Sequence, residues 1–223
     1  MHRLKNAFLR VSSRCPPLRD GLLRLLRAPD NFFPDQAQWD REYATGGWEW
    51  LKSDDERVHN YIIAAYCTRF GPDAAILDVG CGEGVLHDLL ARTGYRQYVG
   101  IDVSSTAIER MASRADSRTH FLVGNAETVA WEAEFDIVVI NEVMYYFRDP
   151  MAVLGRLRAM VPAGVFIISM ADVGFRATLR IQKIWQDIDA AMPMLDGVSL
   201  HYARGLHRTI RIFGVPGSTW ANR

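Results

Sequence analysis

The sequence predicts an α/β fold in which a mostly parallel sheet carries helices on both faces. Short apolar runs alternate with helical patterns along residues 73–215, and this alternation is typical of doubly wound parallel sheets. A glycine cluster, GCGEG at residues 80–84, directly follows the first apolar run. Such a turn joins a strand to a helix and lets backbone approach a ligand closely. We therefore expect a ligand site at the first strand–helix turn.

The elements of this fold follow one another regularly. β-Branched apolar runs bounded by turn residues predict strands over residues 76–79, 98–102, 121–123, 137–140 and 165–169. Apolar residues spaced three and four apart predict helices over residues 85–93, 105–111, 150–160 and 175–190. Gly94 ends the first of these helices, and Ser104 or Ser105 caps the second. Strands over residues 198–202 and 209–213 complete the pattern, with His201 and His207 flanking the turn between them.

The N-terminal segment, residues 1–35, differs from the rest of the chain. Its first thirty residues carry seven Lys or Arg against two Asp, and four leucines share one helical face: Leu18, Leu22, Leu25 and Leu26. This pattern fits peripheral contact with a membrane surface, a partner-binding helix or a targeting segment. It fits equally a helix that packs on the main domain.

An aromatic lid segment, residues 36–72, precedes the main domain of residues 73–215, and residues 216–223 form a tail. Three of the six tryptophans lie in WDREYATGGWEWL, around the flexible pair Gly46–Gly47. They predict either a cover over a ligand or a cover over the core. Ser53 and Glu56 have the spacing of a capping box that opens a helix reaching about Phe70.

Composition excludes several classes of protein. Lys and Arg balance Asp and Glu at 26 each, whereas a dedicated nucleic-acid binder usually has a basic excess. No apolar run approaches the roughly 20 residues of a membrane span. The three cysteines lie far apart and the six histidines have no ligand spacing, so we expect neither a disulfide framework nor a metal site. A reducing, cytoplasmic location is the simplest interpretation.

The glycine turn indicates which nucleotide it holds. Gly80, Gly82 and Gly84 give G-x-G-x-G, which is tighter than the dinucleotide fingerprint G-x-G-x-x-G. Asp78 and Glu83 bring negative charge to the turn, which suits a cationic ligand better than an anionic pyrophosphate. Asp102 ends the second predicted strand, where its carboxylate can accept hydrogen bonds from ribose hydroxyls. This combination favours S-adenosylmethionine and disfavours a nicotinamide-dependent oxidoreductase.

Several motifs then occur in order: ILDVGCGEG, YVGIDVSSTAI, FLVGNAE, FDIVVINEVMYYF and VPAGVFIISM. Over about residues 74–171 the chain resembles the class I S-adenosylmethionine-dependent methyltransferases that act on small molecules. The resemblance implies a Rossmann-like, seven-stranded, mostly parallel sheet with an antiparallel last strand. It also implies S-adenosylmethionine as cofactor and methyl transfer to an oxygen or nitrogen atom.

The resemblance assigns cofactor-binding roles to a set of residues near the strand ends. They are Tyr43, Asp78, Gly80, Cys81, Gly82, Asp102, Val103, Asn125, Ala126, Glu127 and Asn141. The resemblance implies that Asp102 binds the ribose, that Val103 packs on the adenine, and that Tyr43 contacts the carboxylate of the cofactor. Many relatives have Asp where this chain has Asn125, so that residue would contact the adenine through its amide.

The acceptor is expected near the NEVMYY sequence, the aromatic lid segment and residues 175–194. Glu142 and Tyr145 are the candidate catalytic residues, because a carboxylate there can take a proton from an attacking hydroxyl or ammonium group. Glu142 can equally cap the following helix or bind the cofactor. The predicted acceptor is a small molecule, such as a sugar, glycolipid or secondary metabolite. A non-catalytic protein that binds S-adenosylmethionine, or a scaffold, is the alternative.

Overall fold

The computed structural model describes residues 33–129, 133–172, 175–203 and 205–215. Its centre is a seven-stranded sheet in the order β3-β2-β1-β4-β5-β7-β6. The strands are β1 (Ala75–Val79), β2 (Gln97–Asp102), β3 (Thr119–Val123), β4 (Ile137–Asn141), β5 (Val165–Asp172), β6 (Met194–His201) and β7 (His207–Gly214). All neighbours from β3 to β5 pair in parallel, whereas β7 is antiparallel to both β5 and β6. The predicted fold, with its antiparallel last strand, is confirmed.

Helices cover both faces of this sheet. They are α1 (Gln36–Ala44), α2 (Asp54–Phe70), α3 (Val85–Thr93), α4 (Ser105–Met111), α5 (Pro150–Arg158) and α6 (Phe175–Ala191). Short 3₁₀ turns add Glu49–Lys52, Ala112–Arg114 and Met144–Tyr146. One core cluster joins α5 and α6 to the sheet, and the other joins α2 and α3 to the opposite face. The apolar runs of the central strands are therefore buried from both sides.

The sequence places most elements within a few residues of their bounds, but it underestimates the last strands. β5 extends to Asp172 and β6 begins at Met194, because both pair with β7 along its whole length. His201 and His207 face each other where the hairpin turns, and their Nδ1 atoms are 2.6 Å apart. Pairing with a neighbour decides strand length, and a single-strand pattern does not contain that information.

Of the two helix caps predicted at the starts of α4 and α2, the structure confirms the first and not the second. Ser104 caps α4, since its hydroxyl accepts from Ala107 N–H at 3.2 Å. Ser53 precedes α2, but it makes no side-chain capping bond. The predicted capping box is therefore wrong, because Glu56 instead binds the buried guanidinium of Arg208 at 3.1 Å.

Of the four predicted parts, the N-terminal segment is described only from Phe33 onward, and the tail of residues 216–223 lies outside the described residues. The predicted leucine face of residues 18–26 thus also lies outside them. Within the described part of the chain, no helix is long and apolar enough to cross a membrane.

Candidate functional site

A cavity of about 240 Å³ opens at the carboxyl ends of β1, β2, β4 and β5. This is the edge of an open parallel sheet where ligands bind. Most of the site residues predicted from the sequence line it: Tyr43, Gly80, Asp102, Val103, Asn125, Ala126, Glu127, Asn141, Glu142 and Tyr145. The topology thus brings residues from five separate segments to one cavity.

Three predicted site residues, Asp78, Cys81 and Gly82, do not line this cavity. The buried Asp78 carboxylate accepts a 2.6 Å hydrogen bond from the Tyr98 hydroxyl. Burial raises the pKa of Asp78 to about 7, against the opposing effect of that hydrogen bond. The Cys81 thiol is also buried, which raises its pKa and makes it a poor nucleophile. The side chains of Asp78 and Cys81 therefore pack beneath the glycine turn, on the side away from the cavity.

Asp102 is held by the backbone on both sides. Its Oδ2 accepts from Gly82 N–H at 2.9 Å, and its Oδ1 accepts from Ser104 N–H at 2.9 Å. Burial raises the pKa of Asp102, while these two hydrogen bonds oppose the shift. Each carboxylate oxygen retains lone-pair capacity beyond its one backbone bond. The Asp102 side chain is thus a fixed acceptor on the cavity wall.

The sequence predicts that Glu83 brings negative charge to the ligand site, but in the structure this charge is neutralised by neighbouring cations. Its carboxylate is paired with Lys52 at 2.5 Å and with Arg110. Burial favours its neutral form, but hydrogen bonds from Lys52 and Arg110 dominate and lower the pKa of Glu83. The carboxylate therefore ties the lid segment and α4 to the glycine turn.

Aromatic side chains of the lid segment form one wall of the cavity. Trp39, Tyr43, Trp48 and Trp50 all line it. Trp39 packs edge-on against Tyr146 with a centroid distance of 5.0 Å, and it lies 5.6 Å from the Trp48 ring. The aromatic side chains of the lid segment therefore form part of the cavity wall, and its predicted role as a cover over a ligand stays a prediction.

Asp40 attaches the lid segment to the wall that carries Asp102, the predicted ribose-side wall. Its Oδ1 accepts from the Ser104 hydroxyl at 2.7 Å and from Thr106 N–H at 3.1 Å, and its Oδ2 accepts from the Ser105 hydroxyl at 3.2 Å. The hydrogen bond from Ser104 is the main cause of a lowered pKa for Asp40. Since Ser104 N–H also binds Asp102, the lid segment and the predicted ribose acceptor share one contact residue.

Glu142 has an unusual backbone and a carboxylate held by several neighbours. Its φ is 59°, the only positive φ outside glycine among the described residues, and such strain is concentrated at functional sites. Its Oε2 accepts from the Tyr145 hydroxyl at 3.0 Å and from Ala171 N–H at 2.9 Å. Its Oε1 lies 2.9 Å from the Ser169 hydroxyl and 3.0 Å from Arg208 Nε, which is an ionic contact. Two hydrogen bonds and one ion pair therefore orient the carboxylate.

Arg208 is a cavity residue that the sequence analysis missed. It is 3% exposed, yet it lines the cavity. Besides its Glu142 contact, its Nη2 donates to Glu56 and its Nη1 donates to His59 Nδ1 at 2.6 Å and to the Tyr202 hydroxyl at 3.3 Å. Burial alone would lower the pKa of Arg208, but the Glu142 and Glu56 carboxylates raise it above its usual value.

A sequence signal for Arg208 does exist. Alternate residues of a strand lie on the same face of the sheet. On β7 one face carries Arg208, Ile210 and Ile212, and all three are buried. An arginine on the inward face of a strand requires buried partners. The position of Arg208 on the inward face of β7 therefore predicts a buried ion pair, but it does not identify the carboxylates that form it.

Two asparagines complete the cavity wall. The Asn141 amide donates to Asn60 Oδ1 at 2.9 Å and accepts from the Ser169 hydroxyl. The Asn125 amide oxygen accepts from Glu127 N–H at 2.8 Å. This oxygen has a second lone pair, so both the oxygen and the amide nitrogen of Asn125 can bind a ligand.

Residues predicted to wall the acceptor pocket are only partly assembled. Tyr145 and Tyr146 line the cavity, but neither Met192 nor Met194 does. Met192 lies in the core and Met194 is exposed at the start of β6. In their place, Leu206 and Arg208 approach from the other end of the hairpin.

A family model described as a methyltransferase domain matches residues 71–201. A ubiquinone biosynthesis O-methyltransferase of Rhodopseudomonas palustris (strain BisB5) is 30% identical over 163 residues, covering 67% of this chain and 60% of that protein. Nodulation protein S of Rhizobium tropici is 36% identical over 107 residues, covering 45% of this chain and 44% of that protein. This chain thus spans about 60% of the first relative's length and less of the second's.

Solved structures share the fold at low identity. The N-methyltransferase NodS from Bradyrhizobium japonicum WM9, in complex with S-adenosylhomocysteine, superposes with a TM-score of 0.70 at 20% identity, covering 84% of this chain and 100% of that one. Magnesium protoporphyrin IX methyltransferase from Synechocystis PCC 6803, with bound S-adenosylmethionine, gives a TM-score of 0.62 at 16% identity, covering 81% and 97%.

Proposed function

This chain belongs to the class I S-adenosylmethionine-dependent methyltransferases, and on that premise we propose that it methylates an oxygen or nitrogen atom of a small molecule. The observation that carries the proposal is the single cavity that joins Asp102 to Glu142 across the carboxyl ends of the central strands. A nucleoside cofactor and an acceptor must meet in such a space. The names of the O- and N-methyltransferase relatives are consistent with either acceptor atom.

The residues present fit the cofactor at the Asp102 end. Asp102 offers two fixed oxygens to ribose hydroxyls, and Val103 and Ala126 provide apolar surface nearby on the same wall. Gly80 has a φ of 74°, and a side chain there would collide with Val143 at 2.3 Å. The turn is therefore restricted to glycine at the point where its backbone borders the cavity.

S-adenosylmethionine, when bound, supplies an electrophilic methyl group on a sulfonium sulfur. The protein then has to hold the acceptor in line and exclude water, and no covalent enzyme intermediate is required. The lid tryptophans cover the cavity, and the contacts of Asp40 and Lys52 keep that cover on the cofactor side.

Glu142 and Tyr145 are placed at the acceptor end of the cavity. The Glu142 carboxylate accepts from the Tyr145 hydroxyl and from Ala171 N–H and pairs with Arg208, so taking a proton from the acceptor would give up its ion pair with a buried cation. We therefore assign Glu142 an orienting role in preference to general-base catalysis. The Tyr145 hydroxyl, which donates to Glu142, is oriented by that bond.

Transfer of radiolabelled methyl groups into a metabolite extract tests the proposed function. We expect labelled small molecules when the wild-type protein is added with labelled S-adenosylmethionine. The Asp102→Ala variant, at the same concentration, should give much less label. Absence of label across chemically diverse extracts, together with intact cofactor binding, would favour a non-catalytic binding protein.

A further inference from the structure

We infer that the acceptor is an uncharged or cationic ring compound, and that the Glu142–Arg208 ion pair excludes anionic acceptors. The inference rests on the proposed function, because it assigns the nucleoside to the Asp102 end and the acceptor to the Glu142 end. It goes further by specifying the charge of the acceptor and the residues that select it.

The cavity wall has one cation for three anions. Asp102, Glu127 and Glu142 contribute carboxylates, and among the described lining residues only Arg208 contributes a positive side chain. A carboxylate or phosphate on the acceptor would therefore depend on Arg208 for electrostatic compensation.

The positive charge of Arg208 is already compensated. Its Nε lies 3.0 Å from Glu142 Oε1 and its Nη2 lies 3.1 Å from Glu56 Oε2, and its side chain is only 3% exposed. Its Nη1 is directed to His59 and Tyr202. An acceptor anion would therefore meet a guanidinium whose single positive charge two carboxylates already offset, and the Glu142 carboxylate beside it would repel the anion.

The remainder of the acceptor end favours a ring. Trp39 and Tyr146 meet edge to face at 5.0 Å, and the Tyr145 and Tyr146 rings are 4.7 Å apart. Aromatic faces stabilise planar rings and also attract cations. The geometry therefore combines an aromatic wall with a guanidinium whose charge two carboxylates already offset, and both favour a neutral or positively charged ring over an anionic one.

Three probes that share one ring test this selectivity: benzylamine, benzyl alcohol and benzoate. Ligand-observed NMR titrations would be run on the protein saturated with S-adenosylhomocysteine. We expect benzylamine and benzyl alcohol to bind at least about tenfold more tightly than benzoate, since like-charge contacts cost several kcal/mol. Benzoate binding as tightly as benzylamine would overturn the inference, and so would undetectable binding of all three probes.

Comparison of Glu142→Gln with Glu127→Gln tests whether the ion pair with Arg208, rather than the net charge of the cavity, excludes anionic acceptors. Glu142→Gln removes one negative charge and frees Arg208, so benzoate affinity should rise about tenfold and benzylamine affinity should fall. Glu127→Gln removes the same charge from the same cavity without touching Arg208, and it should change benzoate affinity much less. Equal changes in the two variants would contradict the role given to Arg208.

The controls keep the two proposals distinguishable. Thermal unfolding and S-adenosylhomocysteine affinity verify that each variant is folded, and if Glu142→Gln does not fold, the wild-type ranking of the probes decides the inference. Failure of the wild-type protein to bind S-adenosylhomocysteine would contradict the proposed function. Normal cofactor-product binding with a preference for benzoate would contradict only the charge selectivity.

Discussion

Arg208 Nε lies 3.0 Å from Glu142 Oε1, an ion pair that connects the start of β7 to the turn after β4. The Arg208 side chain is 3% exposed and that of Glu142 is 16% exposed. Glu142 also holds a left-handed backbone conformation, with a φ of 59°. The pair therefore fixes a strained turn at the end of the cavity that we propose for the acceptor.

Removing Arg208 should destabilise the fold strongly. Arg208→Ala leaves the partly buried Glu142 and Glu56 carboxylates without their cation, which costs about 3–5 kcal/mol in the free energy of unfolding. Arg96→Ala is the matched control, because the Arg96–Asp136 pair has exposed side chains and such pairs contribute about 1 kcal/mol or less. Urea unfolding measures both, and similar losses in the two variants would contradict the buried-pair argument.

Asp102→Ala should weaken binding of S-adenosylhomocysteine by about 1.5–3 kcal/mol, the contribution of hydrogen bonds to a charged group. The Asp102 oxygens are the fixed acceptors on the ribose-side wall. Calorimetric titration of the variant measures the change. An unchanged affinity would show that Asp102 does not bind the ribose.

The lid segment should become more protected when the cofactor binds. Hydrogen exchange of residues 36–52 is expected to slow on addition of S-adenosylhomocysteine, since Trp39, Tyr43 and Trp48 line the cavity. Equal exchange with and without the ligand would identify the segment as a fixed part of the core.

Asp40 should hold the lid segment in place. Asp40→Ala removes three contacts with the start of α4, and loss of a helix cap costs about 0.5–2 kcal/mol. We expect faster exchange across residues 36–52 and weaker S-adenosylhomocysteine binding. Asp35→Ala is the control, because Asp35 caps α1 itself by accepting from Gln38 N–H. Equal loss of affinity in both variants would reduce the role of Asp40 to general helix stability.

Asp78 should make stability depend on pH. Burial raises its pKa from 3.8 to about 7 in the folded protein, so between these values the folded chain binds more protons than the unfolded chain. The stabilising contribution of the protonated carboxyl is therefore present below about pH 4 and is lost as pH rises through about 7.

The Asp78→Asn variant lacks this titration. Relative to wild type, its free energy of unfolding should increase between about pH 4 and about pH 7 and then remain level. Urea unfolding at several pH values compares the two proteins. Parallel pH profiles would show that Asp78 titrates normally in the folded state.

The glycine turn and Asp102 are predictable from sequence because both are local. A strand, a tight turn and a helix follow one another in the chain, and parallel pairing brings the end of β2 beside that turn. The same reasoning locates Asn125 after β3 and Asn141 at the end of β4. Strand order therefore suffices to assemble the cofactor side of the cavity.

The partners of several charged side chains depend on contacts between distant parts of the chain. Glu56 resembles a capping residue locally, but Arg208 from the last strand binds it. Asp78 and Glu83 resemble ligand-facing acids, but Tyr98 and Lys52 bind them. A local pattern specifies the type of side chain at each position, while the identity of its partner follows only from tertiary packing.

Calorimetric titration of the wild-type protein with S-adenosylhomocysteine and, separately, with NADH tests the central claim most directly. Both ligands contain an adenosine, but only NADH contains a pyrophosphate. The account predicts saturable, one-to-one binding of S-adenosylhomocysteine and no comparable binding of NADH. Tighter binding of NADH, or no binding of S-adenosylhomocysteine, would contradict it.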